Sequence, residues 1–491
     1  MTTLRGNPPP LLNDVVAAVR EAAEAAPKRP VASRFSLTSA GGAERVLAPL
    51  LGLYLGYAVV RLPEVFTEVA VPHLPMILML AFLAALVLAI PADAWRLVWH
   101  RSKAMRLVAQ LAGIAVITAP IGIWPAASYD ALRTRYFLCA AVFLCCLFFL
   151  RDRRNFRIAV SIYVLCVAAV SFDVIHTYDP NAPVFDKDGN QIDPAVVAAS
   201  PDLHRLKAVG VSLDPNDFGA VLCTTFPLAL WLSVGSVRRR VFWSGVAVLL
   251  VAAVVPTQSR GSELGFVAAM AVILSVGARG WRRWVSIALV AGCVGLFLMM
   301  ATGLGAAGRF SDFSENDYNI SGSSGRWYFW RQGIVWMLKR PWGYGMENYP
   351  TFFGIMNDGT ERAAHSTWVQ YGMELGVAGI VTFVLLCVVS VKGLRQLRKA
   401  AVAWHDRHPA AKEEEVLAGH MLALTAGVLV SASFLSNAYY PLLYMSLGLV
   451  AAVLLGNRLP ATELQTSAPS PSEPGPPRRR LRTFPRPAAS G

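Results

Sequence analysis

Apolar and polar segments alternate along most of this chain. A helix needs about 20 apolar residues to cross the hydrocarbon core of a bilayer. Runs of roughly that length lie at residues 46–62, 74–90, 105–124, 136–150, 157–177, 217–235, 241–257, 262–278, 284–302, 366–390, 416–436 and 440–457. Because turn residues and charged clusters separate them, the runs predict an all-α polytopic membrane protein with about 12 transmembrane helices.

The predicted domains follow from the polar segments between these runs. They are an N-terminal segment at 1–45, helices 1–9 at 46–302 with a loop at about 178–216, a large loop at 303–365, helices 10–12 at 366–458, and a basic tail at 459–491. No cleavable signal is expected at the start, where the spacing fits either a short amphipathic surface helix or a disordered segment. The Pro- and Ser-rich tail is predicted to be disordered.

Composition supports this class of protein. Of the 491 residues, 55% are hydrophobic and 15% are charged, and the mean hydropathy of +0.46 is too high for a soluble enzyme of this length. All 7 cysteines lie within apolar runs, so neither a disulfide framework nor a thiolate metal site is expected.

The distribution of charge predicts an orientation in the membrane. In a soluble chain the formal net charge of +14 would raise the question of nucleic acid, which is not expected as a partner here. Most of the 45 Lys and Arg residues form short clusters on the side that holds both termini. The positive-inside rule therefore makes both termini cytoplasmic and the two long loops external.

Arg260 lies in a tight external turn, Pro256–Ser262, between two predicted helices. An arginine at the mouth of a helix bundle is costly without an anionic partner, and the next helix begins beside it with the positive end of its dipole. Such a place suits phosphate. A side chain that reaches lipid headgroups explains the same feature equally well.

Arg326 begins a second candidate site in the large external loop. Serines at 321–324 supply a helix cap, the apolar residues that follow have helical spacing, and Pro341 ends the segment. Four tryptophans in or just after the segment indicate a helix at the bilayer interface. Arg326 would then stand at a helix N-terminus, a place that favours a bound anion. A basic residue on a surface helix explains the same position.

His365 follows the glycine-punctuated turn Gly343–Tyr349 and stands at the external start of a predicted helix. Its titration range suits removal of a proton from a sugar hydroxyl. A histidine at a helix end is more often a cap or a headgroup contact, so this position alone does not decide between the two roles.

The other external loop offers weaker candidates. Arg205 and Lys207 are expected to extend a cationic site, and Asp214–Asp217 is a strong turn and helix-start signal. Residues 186–190 resemble a calcium loop superficially but lack the downstream glutamate, so no metal is expected.

These short motifs, in this order and on one side of the membrane, resemble the bacterial O-antigen ligase and O-antigen polymerase superfamily over about residues 205–380. The motifs are Asp214-Pro215-Asn216-Asp217, Ser259-Arg260-Gly261, Gly325-Arg326, Arg340-Pro341, Gly343-Tyr344-Gly345, His365-Ser366 and Glu374-Leu375-Gly376.

The resemblance implies a GT-C-like membrane enzyme of the bacterial inner membrane whose large periplasmic loop contains interfacial helices. Members transfer a glycan from undecaprenyl pyrophosphate to a hydroxyl acceptor at the periplasmic face, and the ligase uses no metal, nucleotide sugar or other cofactor. The essential arginines of the family correspond to Arg260 and Arg326, and its histidine to His365. Asn is frequent where Ser366 stands here, which leaves the role of that position open.

The implied reaction agrees with the chemistry of these residues. Arg260 and Arg326 would hold the donor pyrophosphate, helped by Arg205 and Lys207, and His365 would act as general base in an inverting transfer. The leading interpretation is an O-antigen ligase of lipopolysaccharide biosynthesis, acting on lipid A-core. The alternatives are an O-antigen polymerase, a protein O-oligosaccharyltransferase and, from another class, a transporter of lipid-linked glycan.

Overall fold

The structure, a computed structural model, describes residues 42–60, 74–178, 214–277, 326–357, 359 and 361–459. Contacts divide the chain into residues 1–36 and 37–491, and every described residue belongs to the second unit. Several predictions lie outside the described residues: the N-terminal surface helix, the loop with Arg205, Lys207 and residues 186–190, the membrane helix at 284–302, and the tail from residue 460.

The described residues form helices and their connections, with no strand among them. The helices are α1 (Gly42–Val60), α2 (Leu74–Ala89), α3 (Ala92–Arg101), α4 (Lys103–Ile121), α5 (Pro125–Ala131), α6 (Phe137–Phe149), α7 (Arg153–Thr177), α8 (Pro215–Leu232), α9 (Val237–Val254), α10 (Arg260–Gly277), α11 (Arg326–Lys339), α12 (Tyr349–Met356), α13 (Thr367–Ala403), α14 (Ala411–Ala432) and α15 (Pro441–Leu455).

Each predicted membrane helix that falls in the described part of the chain is observed as a helix. Within that part, 7 helices are long and apolar enough to cross a membrane, or up to 8 if α2 and α3 together form one bent span. These helices make the chain a polytopic helical membrane protein. The count of twelve and the GT-C-like arrangement stay predictions.

One connection differs from the sequence-based expectation. The basic segment after the second apolar run is not a loop but the helix α3, which is bent by 100° from α2. Trp95 of α3 packs its ring 4.4 Å from that of Phe148, and Arg106 donates to the carbonyl oxygens at the end of α3. Alternating apolar and basic residues thus stabilise a short helix where charge clustering indicated a turn.

The helix α13 is longer than its apolar run and is broken within it. The run was expected to end at residue 390, but the helix continues to Ala403 because Leu394 and Leu397 remain buried. At Gly376 the backbone leaves the helical region with φ 72°. This kink divides α13 into a short first part, which begins next to His365, and a long second part.

Buried ion pairs hold the opposite end of the bundle together. Arg153 at the start of α7 makes two hydrogen bonds of 2.8 and 2.7 Å to Glu414 at the start of α14, and both side chains are fully buried. Arg151 pairs with Glu44 of α1 in the same region. The polar residues discussed below lie at the other end of α14, so this cluster stabilises the bundle away from them.

Candidate functional site

Arg260 lies where two helices meet in a tight turn. A 3₁₀ turn at Val255–Thr257 closes α9, and Gln258 follows in the left-handed region with φ 49°. The Ser259 hydroxyl accepts the N–H of Ser262 at 3.4 Å and donates to the Ser262 hydroxyl at 2.9 Å. Arg260 is the first residue of α10, so its side chain starts from the positive end of a helix dipole.

The start of α8 packs against this turn. Asp214 caps α8 by accepting the N–H of Asn216 at 2.9 Å, so the helix starts where its sequence motif predicts. The Ser262 hydroxyl donates to the carbonyl oxygen of Asn216 at 3.1 Å. A Cβ at Gly219 would collide with the Ser262 side chain, so the two helix starts lie side by side.

Arg326 begins the described part of α11, the helix predicted from the tryptophan-rich segment. Phe329, one turn later, is buried against the core. The close approach of α11 to α13 requires Gly333, because a Cβ there would collide with Val369. The outer face of α11 exposes the apolar side chains of Trp327, Ile334 and Leu338, with Arg331 between them. Such a face supports the predicted position at a bilayer interface.

His365 precedes α13 in an unusual backbone conformation. Its φ of 48° lies in the left-handed region, which costs a residue other than glycine on the order of 1 kcal/mol. Its backbone N–H donates to the Ser436 hydroxyl at 2.8 Å. Its imidazole ring is centred 6.1 Å from the ring of Phe329. These contacts fix the imidazole between α11 and the connection that follows α14.

The surroundings of the imidazole keep it neutral. The pKa of His365 is lowered to about 4, first by burial and then by the charge of Arg326; the Asp214 carboxylate raises it and Arg362 lowers it by smaller amounts. The ring is therefore unprotonated at neutral pH, as a general base must be. The same interactions mean that Arg326, Asp214 and His365 lie close enough for their charges to act on one another.

One connection joins the elements that carry these residues. It runs from Ser433 to Tyr440 between α14 and α15, and we call it the hub loop. The hub loop is bonded to the first turn of α13 by Trp368 Nε1 to Ser433 Oγ at 3.0 Å, Thr367 Oγ1 to Leu435 O at 2.8 Å, Asn437 N to Thr367 Oγ1 at 3.0 Å, and Tyr371 OH to Ala438 O at 2.6 Å. The position of His365 is thus tied to the hub loop over several bonds.

The hub loop also contacts the two arginine-bearing helices. Phe434 packs so closely on Gly261 that a Cβ there would lie 2.8 Å from the Phe434 Cβ. The Phe434 ring is centred 6.0 Å from that of Trp330 in α11. Gly261 follows Arg260, and Trp330 lies one turn after Arg326. The hub loop therefore connects the starts of α10, α11 and α13.

An apolar cleft of about 370 Å³ adjoins this region between α11 and α13. Its walls are Trp327, Trp330, Arg331, Ile334, Val335, Ser366, Trp368, Val369 and Ser433. The cleft reaches Ser366, beside His365, and shares Trp327 and Ile334 with the exposed apolar face of α11. It can hold an apolar chain whose polar end lies near His365 and Arg326.

A comparison with protein families finds one match. Residues 245–384 match a family described as O-antigen ligase. This segment belongs to the O-antigen ligase superfamily. It contains Arg260, Arg326 and His365, the three residues that the sequence motifs select. No curated protein matches the chain.

Two groups at the site lie outside the superfamily segment. Asp214, whose carboxylate acts on His365, precedes it, and the hub loop follows it. Arg205 and Lys207, the remaining predicted donor-binding residues, are outside the described residues, so their role stays a prediction. Among the described residues, no group of three or more His, Cys, Asp or Glu side chains could hold a metal ion.

The glycine motif of the superfamily segment has an architectural role. The segment Pro341–Gly345 lies in the kink of α13, where Tyr344 N donates to Met373 O at 3.0 Å, Gly345 N donates to Glu374 O at 2.9 Å, and Val377 N donates to Pro341 O at 2.8 Å. Arg340, another motif residue, donates to the carbonyl oxygen of Ile121 and stacks over the Tyr344 ring. These residues join α11 to α13 and keep the cleft walls in place.

Sequence reasoning missed Asp214 as a neighbour of His365, Ser436 as its hydrogen-bond partner, and Glu374 as a buried link between loops. It assigned Asp214 to a turn and Glu374 to a family motif. Ser436 gave no signal beyond a polar break between two apolar runs. The bond from His365 to Ser436 spans 71 residues, and periodicity carries no information on such pairs.

Proposed function

We propose that this protein is an O-antigen ligase. In this proposal it transfers a glycan from undecaprenyl pyrophosphate to a sugar hydroxyl of lipid A-core, at the periplasmic face of the bacterial inner membrane. The observation that carries the proposal is the neutral imidazole of His365, held near Arg326 beside an apolar cleft and within the superfamily segment.

The donor would be held by charge at one end and by apolar contacts at the other. Arg260 is the first residue of α10, so a helix dipole adds to its guanidinium group, and Arg326 supplies a second guanidinium where the described part of α11 begins. Guanidinium forks match phosphate oxygens in pairs. The polyprenyl chain would then lie in the cleft between α11 and α13 and continue into the bilayer along the exposed face of α11. Arg205 and Lys207 would add positive charge.

His365 would act as the general base. It takes the proton of the acceptor hydroxyl as that oxygen attacks the anomeric carbon from the face opposite the leaving group. The bond from the anomeric carbon to phosphate breaks, a glycosidic bond forms with inversion, and undecaprenyl pyrophosphate leaves with its charge stabilised by Arg260 and Arg326. A pyrophosphate is already a good leaving group, so this route requires no protein acid and no covalent intermediate.

Donor binding would also make His365 a stronger base. In the free protein the charge of Arg326 lowers its pKa, after the larger effect of burial. A pyrophosphate bound to Arg326 would offset that charge and raise the pKa toward the ordinary value near 6.5. The base would then accept a proton most readily when the donor is in place.

The test is transfer from undecaprenyl-pyrophosphate glycan to lipid A-core by the detergent-purified protein, without added metal or nucleotide. We expect transfer by the wild type, none by His365→Ala, and a loss of about 100- to 1,000-fold in Arg326→Ala. Arg326→Lys should recover little because lysine cannot form the fork. The matched control is Lys339→Ala, at the exposed far end of the same helix, which should retain activity.

Transfer to a different acceptor would indicate a different enzyme of the same superfamily. Chain growth on a lipid-linked repeat unit indicates a polymerase, and transfer to a protein hydroxyl indicates an oligosaccharyltransferase. Movement of labelled donor across liposomes without any transfer would indicate a transporter and would refute the ligase. Full activity of Arg326→Ala would remove that residue from the mechanism.

A further inference from the structure

Glu374 has a fully buried carboxyl group that the proposed reaction does not use. It lies in the first part of α13, two residues before the kink at Gly376. Its Oε1 atom accepts the backbone N–H of Tyr349, the first residue of α12, at 3.2 Å. Since the first N–H groups of a helix have no partner within the helix, this carboxylate holds the start of α12.

The contact continues from Tyr349 to the site. The Tyr349 hydroxyl donates to the carbonyl oxygen of Phe329 in α11 at 2.7 Å. Phe329 lies one turn after Arg326, and its ring packs against the imidazole of His365 at 6.1 Å. A chain of direct contacts therefore runs from Glu374 through Tyr349 and Phe329 to His365, and it includes the helical turn that carries Arg326.

On its other side Glu374 borders the hub loop. The Tyr439 hydroxyl lies beside the Glu374 carboxyl group. The same hub loop supplies Ser436, which accepts the N–H of His365. Glu374 thus touches both segments that hold the imidazole.

We propose that Glu374 is a positioning residue that fixes the first turn of α11, with Arg326, against His365. It is too far away to act on substrate itself, because the seven residue steps from Thr367 to Glu374 span about 10 Å of helix. The expected effect on transfer rests on the proposed function. The effect on the position of Arg326 relative to His365 can be tested without transfer.

The first readout is the protonation of His365. Diethyl pyrocarbonate modifies neutral imidazole, and peptide mass spectrometry assigns the modification to His365 as the pH varies. The charged groups that act on this imidazole are Arg326 on α11, Arg362 in its own segment and Asp214 at the start of α8. If Glu374→Ala releases the turn with Arg326 and Phe329, the pH midpoint of modification should rise by about one pH unit.

Three further variants sharpen the test. Glu374→Gln keeps an oxygen that can accept the Tyr349 N–H and adds a donor for Tyr439, so its midpoint should match the wild type. Tyr349→Phe removes the hydroxyl bond to Phe329 and should raise the midpoint by a smaller amount. Thr382→Val is the matched control, since Thr382 is buried in the same helix and its hydroxyl bonds to Ala378 within that helix.

The second readout is transfer. A displacement of about 1 Å in a reacting group can cost about 100-fold in rate, so Glu374→Ala should lower kcat by that order while Glu374→Gln and Thr382→Val change it little.

Two outcomes would overturn the proposal. One is a Glu374→Ala variant whose modification midpoint and transfer rate equal those of the wild type. The other is a folded Glu374→Gln variant that behaves like Glu374→Ala. If Glu374→Ala does not fold, Tyr349→Phe decides: an unchanged midpoint refutes the positioning role. If the wild type transfers no glycan but Glu374→Ala still raises the pH midpoint of His365 modification, the ligase proposal is refuted and the positioning role stands.

Discussion

The pH dependence of a reaction driven by His365 should differ between the free protein and the donor complex. Burial and Arg326 lower the pKa of His365 to about 4 in the free protein, and a protonated imidazole cannot accept the acceptor proton. Because kcat/KM reports the free protein, we expect it to rise with pH through about 4 and to be flat above. The value of kcat reports the donor complex. Its profile should level off at a higher pH, because the bound pyrophosphate offsets the positive charge of Arg326.

The measurement is a pair of pH–rate profiles between about pH 3 and pH 8, with donor varied at saturating acceptor. Arg326→Lys serves as a comparison, since it keeps the charge but changes its geometry. Breaks at the same pH in both profiles would contradict the idea that bound donor raises the basicity of His365.

At the residue scale, the sequence singled out Arg260, Arg326 and His365 as candidate site residues, and their chemical roles stay proposals. It did not single out the residues that contact them. Arg260, Arg326 and His365 could be selected because each stands at a predicted helix start. In the structure Arg260 is the first residue of α10, Arg326 stands where the described part of α11 begins, and His365 lies just before α13. The supporting residues Glu374, Tyr349 and Ser436 could not be selected. Their roles depend on contacts between elements, whereas propensity and periodicity describe one element at a time.

Among elements, the junction of the Pro341–Gly345 segment with α13 should tolerate substitution least. A Cβ at Gly376 would collide with the carbonyl oxygen of Pro341, and φ 72° is strained for any other residue. We therefore expect Gly376→Ala to cost about 2 kcal/mol or more of stability. The check is thermal unfolding in detergent against Gly113→Ala, where a Cβ in α4 meets open space and should cost nothing. Equal unfolding temperatures for the two variants would contradict this account of the kink.

Helix starts were easier to predict than interruptions. The capping serines and Pro341 predicted a helix over 326–340, and Arg326–Lys339 is observed. The helix α12 was missed because its flanking glycines and Pro350 indicate a turn. The kink at Gly376 was missed as well, since the apolar periodicity of the run continues through it. What breaks α13 is a docked segment more than thirty residues earlier in the chain, and no local pattern records that.

For the whole molecule, the buried pair of Arg153 and Glu414 should matter for stability and not for chemistry. Glu414→Ala leaves a buried guanidinium without its partner, which costs about 3–5 kcal/mol, whereas the double variant Arg153→Met, Glu414→Leu should recover most of that loss. Thermal unfolding measures both. Transfer per folded molecule should not change, because the pair lies at the opposite end of α14 from the hub loop. A transfer defect in the stable double variant would show that the two ends are coupled.

The orientation of the molecule decides whether its site can meet the proposed substrates. Basic clusters lie near the ends of helices remote from His365, as at the start of α7 and after α13, so the positive-inside rule predicts that the His365 end faces the periplasm. Glu361, near His365, and Lys412, at the start of α14, are both exposed and suit a cysteine-labelling test.

We expect a membrane-impermeant maleimide to label Glu361→Cys in intact bacteria and Lys412→Cys only after the inner membrane is opened. The parent chain supplies the background, since its described cysteines are buried or half-buried. The opposite labelling would put His365, Arg326 and the cleft on the cytoplasmic side. A glycan donor at the periplasmic face could not reach them there, so that result would rule out the ligase whatever the chemistry of the site.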